Sequence, residues 1–557
     1  DRGPQGGYSS NVYNFPFWQY IDEIYYYMHN LTAVPPVVWT NAAHRNGVPM
    51  YAAVTADFTG GGDEFNKLFQ DPVKAAQQLF NIANTYRFDG WMFDVENGAI
   101  RGPNLLKAMQ LLRAQRLSWN NQLVGVGYYE AQVLSIDKDT LPFFQAGSFF
   151  QSDYTSWTGT SAPKDTYEFL GQNGLAGARY GTYWSVYTND YSRENPVTGA
   201  LFNGARYLDV RGLFSQLAKA KMPSPSTDYY QSISIFAPDW TMYGGIHESK
   251  VPMPDRAAFQ RIERLFWTGK AVGPDGKPVI SNPCVADFIP PRTTLMAPPF
   301  VTRFNTGQGW CFVVNGERWA ISDWNYLSTQ DLLPTSLAPA GAPPPPVVAD
   351  YSYDDPYDGG SALSFVGTVP IQGCDFPLYV AKMSLPAGYQ AQFTYKARSP
   401  SSPTRLPHLR IVYSNQTSVT VQPTTGTDWT RVSQPLPPTP ANVYITEIHI
   451  GFSTVGFASA IDALVGEIAI VPTNSTPPPQ MPPITPTDGV LTWVPPPAVQ
   501  VWYYNVYGRT IDGPALMGRT VVPSYDLSQA LFPNLQVGNQ YEIQTVNTMG
   551  QASPRPR

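Results

Sequence analysis

Residues 88–96 read Phe88-Asp89-Gly90-Trp91-Met92-Phe93-Asp94-Val95-Glu96, and the run predicts a strand. Alternate residues of a strand share a face, so Met92, Asp94 and Glu96 point one way while Trp91, Phe93 and Val95 point the other. The apolar set suits the helices around a parallel barrel. That turns the two carboxylates toward the barrel axis at the C-terminal mouth, where such folds carry out chemistry. Acids at i and i+2 stand roughly 6.6–7 Å apart at Cα. Their like charges disfavour simultaneous ionisation, which keeps one protonated near neutral pH and available as a general acid. An isolated Asp-x-Glu could equally close a strand through structural ion pairs, so its surroundings decide.

Outward from this strand, short apolar runs alternate with helical patterns, the signature of βα units and a parallel sheet. Strands are expected at 20–27, 48–57, 90–96, 123–129, 148–154, 180–187, 233–240 and 300–305. Eight strands satisfy a closed barrel. Helical spacing falls at 63–86 (Phe65, Leu68, Phe69, Ala75, Leu79, Ile82), 105–119, 200–221 and 256–267. The fold class is therefore α/β, a (β/α)8 TIM barrel over residues 1–340. The strand ends carry further polar and aromatic groups: Asp57 and Phe58; Tyr128, Tyr129 and Glu130; Asp153 and Tyr154; Trp184; Asp239 and Trp240. One aromatic at a strand end is ordinarily core, but a ring of them around two carboxylates is the lining expected of a sugar cleft.

Two proline-rich runs divide the rest. Ala338-Pro339-Ala340-Gly341-Ala342-Pro343, continuing to Pro346, cannot extend a helix or a central strand and sets a boundary near residue 340. Pro472 to Pro486 reads as an extended linker. Between them, 347–472 alternates in period two without a helical pattern, which predicts a β-sandwich of carbohydrate-binding type. Residues 486–557 hold Val490-Leu491-Thr492-Trp493, Tyr503-Tyr504-Asn505-Val506-Tyr507 and the run 541–547. That spacing suits a small fibronectin type III-like β domain, with Trp493 and its neighbouring tyrosines in its core.

Composition narrows the ligand. Charged residues make up 14% of the 557 residues and aromatics 14%, with 34 Tyr, 28 Phe and 14 Trp. Ordinary domains carry about 25% charge, so the mix favours uncharged, stackable ligands such as sugars. Lys+Arg 36 against Asp+Glu 42 leaves a net charge of -6, and nucleic acid is not an expected partner. The 55 prolines belong in loops and linkers, because 43% hydrophobic content is too high for a disordered chain. Cys284, Cys311 and Cys374 allow at most one bridge and no CxxC metal site. No apolar run reaches a membrane span. The chain starts at Asp1 without Met or a signal segment, which suggests a removed leader and a secreted or extracellular setting. Of five histidines, His44 reads as a helix-end residue rather than a base, and no triad or zinc motif is present. Gly60-Gly61-Gly62 lacks a phosphate-binding spacing and reads as a loop.

Several strings together resemble the catalytic domain of family 85 glycoside hydrolases, the endo-β-N-acetylglucosaminidases. They are Pro35-Pro36-Val37-Val38-Trp39-Thr40-Asn41-Ala42-Ala43-His44-Arg45-Asn46-Gly47-Val48, then Phe88-Asp89-Gly90-Trp91, then Phe236-Ala237-Pro238-Asp239-Trp240. Pro299-Phe300-Val301-Thr302-Arg303-Phe304-Asn305-Thr306-Gly307, Trp324-Asn325-Tyr326-Leu327-Ser328 and Leu333-Pro334-Thr335 follow in order. Tyr353-Asp354-Asp355-Pro356-Tyr357-Asp358-Gly359-Gly360-Ser361 similarly resembles the start of the β-sandwich that succeeds the barrel in that family.

The resemblance implies cleavage of the β-1,4 bond in the GlcNAc-GlcNAc core of N-linked glycans, without metal or cofactor. It implies substrate-assisted retention, in which the 2-acetamido oxygen attacks its own anomeric carbon to form an oxazolinium. Glu96 matches the general acid and base, and Tyr129 the tyrosine that supports the acetamido group. Transglycosylation is possible in the same scheme. The family ordinarily has asparagine two residues before the glutamate, whereas this chain has Asp94. Asp94 is expected to orient the acetamide N–H and offset oxazolinium charge as a carboxylate. Asp57, Phe58, Asp153, Tyr154, Trp157, Trp184 and Trp240 are the expected sugar-binding residues. Two alternatives stand beside this reading. One is a non-catalytic N-glycan or GlcNAc-binding protein on a glycosidase barrel, which would have no need of Glu96. The other is a family 18 chitinase type, against which Met92 stands where that family's D-x-x-D-x-D-x-E has its second aspartate.

Overall fold

The computed structural model describes residues 14–21, 23–26, 31–56, 62–95, 102–130, 139, 141–152, 179–184, 230–237, 264, 268–273, 275–280, 297–340, 346–398, 406–426, 428–454, 456–532 and 537–555. The chain divides into two compact units. One comprises residues 20–262 with 283–290, the other residues 1–19, 263–282 and 291–557.

The first unit is a barrel. Its strands are β1 (Glu23–Tyr26), β2 (Thr32–Ala33), β3 (Met50–Ala56), β4 (Gly90–Val95), β5 (Gly125–Glu130), β6 (Phe149–Ser152), β7 (Arg179–Trp184) and β8 (Tyr230–Ala237). Because β1 pairs with both β3 and β8, the described sheet closes through seven parallel strands, β1 and β3 to β8. The two-residue β2 lies antiparallel on β3 just beyond β1, Ala53 pairing with Ala33 where Ala52 pairs with Tyr26. Helices α1 (Val37–Arg45), α2 (Gly62–Leu68), α3 (Pro72–Tyr86), α4 (Pro103–Arg113) and α5 (Leu141–Ala146) connect the first strands. Helix α3 begins where its sequence dictates. The Asp71 carboxylate accepts from the N–H groups of Val73 and Lys74 at 3.1 Å each, and Pro72 takes the first helical position. The helical stretches expected at 200–221 and 256–267 lie outside the described residues except for Arg264.

The Phe88-Asp89-Gly90-Trp91 string serves the fold. Phe88 and Trp91 meet edge to face at 5.2 Å, and the Trp91 indole donates to the Leu79 carbonyl of α3 at 2.9 Å. Asp89 Oδ2 lies 2.7 Å from His44 Nε2 at the end of α1 and accepts from Met50 N at 2.8 Å. His44 is thus a helix-end clasp, stacked on Trp119 at 5.1 Å. Gly125 makes room for the Tyr51 ring, which stacks on Tyr25 at 5.3 Å, and Gly90 makes room for the backbone of Gly125. A Cβ on Gly125 would stand 2.4 Å from Tyr51 Cε1, and one on Gly90 1.9 Å from the Gly125 carbonyl oxygen. These two tyrosines fill the N-terminal end of the barrel.

In the second unit, β9 (Lys270–Val272) pairs antiparallel with β10 (Pro278–Ile280). Then come β11 (Phe300–Thr302), β12 (Gln308–Gly309), β13 (Phe312–Val314), β14 (Glu317–Ala320) and β15 (Trp324–Asn325), with β13 against β14 and β12 against β15. The next nine are β16 (Val347–Ser352), β17 (Ala362–Val369), β18 (Cys374–Met383), β19 (Tyr389–Ala397), β20 (Pro407–Tyr413), β21 (Ser418–Val421), β22 (Thr430–Leu436), β23 (Ile445–Phe452) and β24 (Ser459–Pro472). They form one sheet in the order β16-β17-β24-β19-β22 and a second in the order β18-β23-β20-β21. Phe365 of the first sheet meets Phe376 and Phe452 of the second at 4.9 and 5.3 Å. Finally β25 (Val490–Thr492) pairs with β28 (Ser524–Asp526), beside a sheet of β26 (Val501–Thr510), β27 (Gly513–Thr520) and β29 (Tyr541–Asn547). Leu491, Trp493, Tyr504, Val506, Tyr525 and Ile543 are part of the core between them, so Trp493 is core.

The strand expected at 300–305 as the eighth of the barrel is a correction. Phe300–Thr302 is a strand, but it pairs antiparallel with β24, Phe300 opposite Ile470 and Thr302 opposite Ile468. The reason is electrostatic as well as apolar. Arg303, the next residue, is 3% exposed and needs anionic company to be buried. It finds Glu467 on β24 at 2.8 Å through Nε and Asp358 at 3.3 Å through Nη1, donates to the Tyr503 hydroxyl at 2.5 Å and to the Gly550 carbonyl at 2.8 Å. Arg519 completes the cluster, 2.8 Å from Asp358 and over the Tyr503 ring at 3.7 Å. Burial opposes the Arg303 charge, yet Tyr503, Asp358 and Glu467 together hold its pKa well above the ordinary value.

Candidate active site

The site is built on β4 and its neighbours. Trp91 bonds to α3 and Phe93 meets Phe69 beside α2 at 5.8 Å, so these residues face the helices. Met92 and Asp94, by alternation, face the barrel interior, as the sequence predicts; they are 1% and 2% exposed. Parallel register sets Asp94 level with Thr55 on β3 and Tyr129 on β5. Neighbouring strands run about 4.8 Å apart, so three polar side chains line one level of the barrel, at the C-terminal ends of three consecutive strands. Tyr129 is 5% exposed and Thr55 4%.

Thr55 was not among the sequence candidates. Its hydroxyl is buried without a hydrogen-bond partner among the described residues, and a buried unpaired donor beside a carboxylate is a ready contact for a polar ligand. Its signal was available: counting back in twos along β3 from the mouth lands on it. Tyr128, by contrast, leaves the aromatic ring. It faces α5, stacked on Phe143 at 5.5 Å and edge-on to Phe144 at 4.9 Å. Trp184 ends β7, in register with Ile235 of β8. Glu96, the residue after β4, and Asp57, Phe58, Asp153, Tyr154, Trp157 and Trp240 lie outside the described residues.

Cys311 and Cys374 are free thiols. Burial raises both, Cys374 to about 12 with Asp375 adding to it, so neither is a thiolate near neutral pH. No group of three His, Cys, Asp or Glu in the described residues is placed to hold a metal ion. No described helix is long and apolar enough to cross a membrane.

A carboxylate and a tyrosine thus stand level with each other at the C-terminal ends of closed parallel strands. The family model described as Glycosyl hydrolase family 85 matches residues 1–312, more than half of the chain. The chain belongs to glycosyl hydrolase family 85. This member is similar to proteins named cytosolic endo-beta-N-acetylglucosaminidase: one from Gallus gallus, 26% identical over 396 residues, covering 66% of this chain and 45% of the relative; one from Mus musculus, 27% identical over 388 residues, covering 66% and 46%; and one from Homo sapiens, 24% identical over 422 residues, covering 72% and 50%. The family 85 chain thus spans about half the length of the curated relatives it matches. Among solved structures it resembles the glycoside hydrolase domain of Endo-D from Streptococcus pneumoniae R6, with a TM-score of 0.70, 18% identity and coverage of 99% of this chain and 87% of that one. The likeness supports a TIM-barrel glycoside hydrolase fold with further β domains.

These relatives correct one expectation. A secreted or extracellular setting was inferred from the missing Met and signal segment, but the relatives are named cytosolic. Where this sequence begins carries no information about compartment.

Proposed function

We propose that this family 85 chain is an endo-β-N-acetylglucosaminidase that cleaves the GlcNAc-β-1,4-GlcNAc core of N-linked glycans. The observation that carries the reading is the level pair Asp94 and Tyr129 inside a closed parallel barrel, one residue short of Glu96. In the proposed reaction the acetamido oxygen of the sugar attacks its own anomeric carbon, and the glycosidic bond breaks as Glu96 protonates the departing oxygen. The Asp94 carboxylate accepts the acetamide N–H and offsets the positive charge of the oxazolinium, and the Tyr129 hydroxyl supports the acetamido group. Glu96 then takes a proton from the water that opens the ring, giving net retention. A sugar hydroxyl in place of that water gives transglycosylation. Asp57, Phe58, Asp153, Tyr154, Trp157, Trp184 and Trp240 are proposed to contact the glycan. The same reading takes 1–340 as the catalytic segment, 347–472 as a carbohydrate-binding-like sandwich and 486–557 as a fibronectin type III-like module.

Mass spectrometry of a high-mannose glycoprotein incubated with wild type, Glu96→Gln and Asp94→Asn tests the proposal. A single GlcNAc left on asparagine by wild type, and lost in Glu96→Gln, is the expected result. Glycan binding without cleavage by the wild type would sink the enzyme reading and leave a glycan-binding protein.

A further inference from the structure

A second site lies wholly within the C-terminal unit. It is a pocket of about 440 Å³ between the outer face of the larger sandwich sheet and the loop after β29. Its floor is set by strand register. Gln390 and Gln392 stand two apart on β19, and Thr394 follows on the same face, opposite Glu467 of β24 and Arg431 of β22. The walls include Tyr357, Asn315, Thr473, Met549 and Gly550. Those walls are fixed. Gln551 Nε2 donates to Ser475 Oγ at 2.6 Å and to the Ser475 carbonyl at 3.1 Å, while Arg303 holds the Gly550 carbonyl at 2.8 Å.

The donors and acceptors left over define the ligand. Arg431 places Nη2 on Glu467 at 2.5 Å and on the Tyr357 hydroxyl at 3.2 Å, and Nε on Thr394 Oγ1 at 3.3 Å. Among the described residues its Nη1 has no partner, which leaves two N–H groups on a side chain 46% exposed. The Gln390 and Gln392 amides, each donor and acceptor at once, have no side-chain partner in the described structure. Each cation is paired: Glu467 sits between Arg303 and Arg431, and Asp358 between Arg303 and Arg519, three arginines against two carboxylates. Apolar lining is limited to Val471, Pro472, Met549, Ala552 and the Tyr357 ring.

We infer that this pocket binds a neutral, hydroxyl-rich saccharide, its vicinal hydroxyls bridged between the two glutamine amides and the free edge of Arg431. A preformed pocket of this size, polar and with its lining cations already paired to carboxylates, fits one or two sugar rings better than an apolar ligand. None of the residues proposed for hydrolysis lines it. The inference does not depend on the chemistry proposed for the barrel.

The test is methyl NMR on the full chain labelled at methionine, titrated separately with mannose, N-acetylglucosamine and glucose oligosaccharides and with a sialylated one. Met549→Leu assigns the reporter signal. At least one neutral oligosaccharide is expected to shift the Met549 methyl saturably. The double variant Gln390→Ala/Gln392→Ala is expected to weaken that binding at least tenfold with its thermal midpoint unchanged. Glu96→Gln is expected to leave it intact, which separates this site from the barrel. No saturable shift with any neutral sugar, a shift with the sialylated sugar alone, or an unchanged titration in the double variant would each overturn the inference.

Discussion

At the scale of single residues, the inner face of β4 meets its neighbours at one level, and each member has a distinct expected weight. Glu96→Gln removes the proposed proton donor and should lower kcat by about 100-fold or more in a glycan-release assay. Asp94→Ala should cost about 100–1,000-fold, the loss typical of one preorganised electrostatic partner. Asp94→Asn should retain more activity than Asp94→Ala, because an amide oxygen still accepts the acetamide N–H. Thr55→Val keeps shape while removing the buried unpaired hydroxyl. It should leave stability intact or slightly raised and weaken substrate binding by about 5–30-fold, as one hydrogen bond of about 1–2 kcal/mol does. A Thr55→Val enzyme with unaltered KM and kcat would remove Thr55 from the site.

At the scale of elements, the barrel floor and the smaller sandwich sheet each carry a measurable strain or charge. Gly125→Ala drives a methyl into the Tyr51 ring and should cost about 1–3 kcal/mol in denaturant unfolding. Gly125→Ala with Tyr51→Leu should recover part of that loss. In the smaller sheet His408 and His449 are both held below the ordinary histidine pKa, chiefly by burial, with Arg410 adding to it and Asp375 opposing in each case. Glu447, at 2.8 Å from His449, opposes it further. Their neutral forms are the native ones, so the stability they carry is complete above pH about 6.5 and is lost as pH falls through the lowered native values. The thermal midpoint should fall between about pH 7 and pH 5, and His408→Gln/His449→Gln should flatten that slope. Seven of the eight expected barrel strands were legible, because a buried strand announces itself as an apolar run between turn signals. The run at 300–305 announced a strand equally well, but nothing local says which sheet will hydrogen-bond it. The face of Asp94 was legible from alternation along its strand and Tyr129 was singled out by the family resemblance, whereas their shared level is set by the parallel register of β4 and β5. Tyr128 shows the limit, since adjacent aromatics at a strand end necessarily part, one inward and one to the helices.

At the scale of the whole molecule, the Arg303 cluster ties three stretches distant in sequence: β11, the sandwich through Asp358 and Glu467, and the last module through Tyr503, Arg519 and Gly550. Removing the central cation leaves each of two buried carboxylates with one arginine where it had two, Asp358 keeping Arg519 and Glu467 keeping Arg431, and Arg303→Met should cost up to about 3–5 kcal/mol. Arg303→Met with Glu467→Gln should cost less than Arg303→Met alone; equal loss in both would mean that packing, not charge, holds the cluster. The position of β11 also bears on how the protein can be divided. A chain cut at the proline run near residue 340 keeps Phe300–Thr302 but discards its partner strand β24. The fragment would expose a bare strand edge and an arginine whose acids at Asp358 and Glu467 have gone with the remainder. Limited proteolysis in that linker should therefore nick the protein without releasing a soluble N-terminal half, the two pieces travelling together on a sizing column until denaturant parts them.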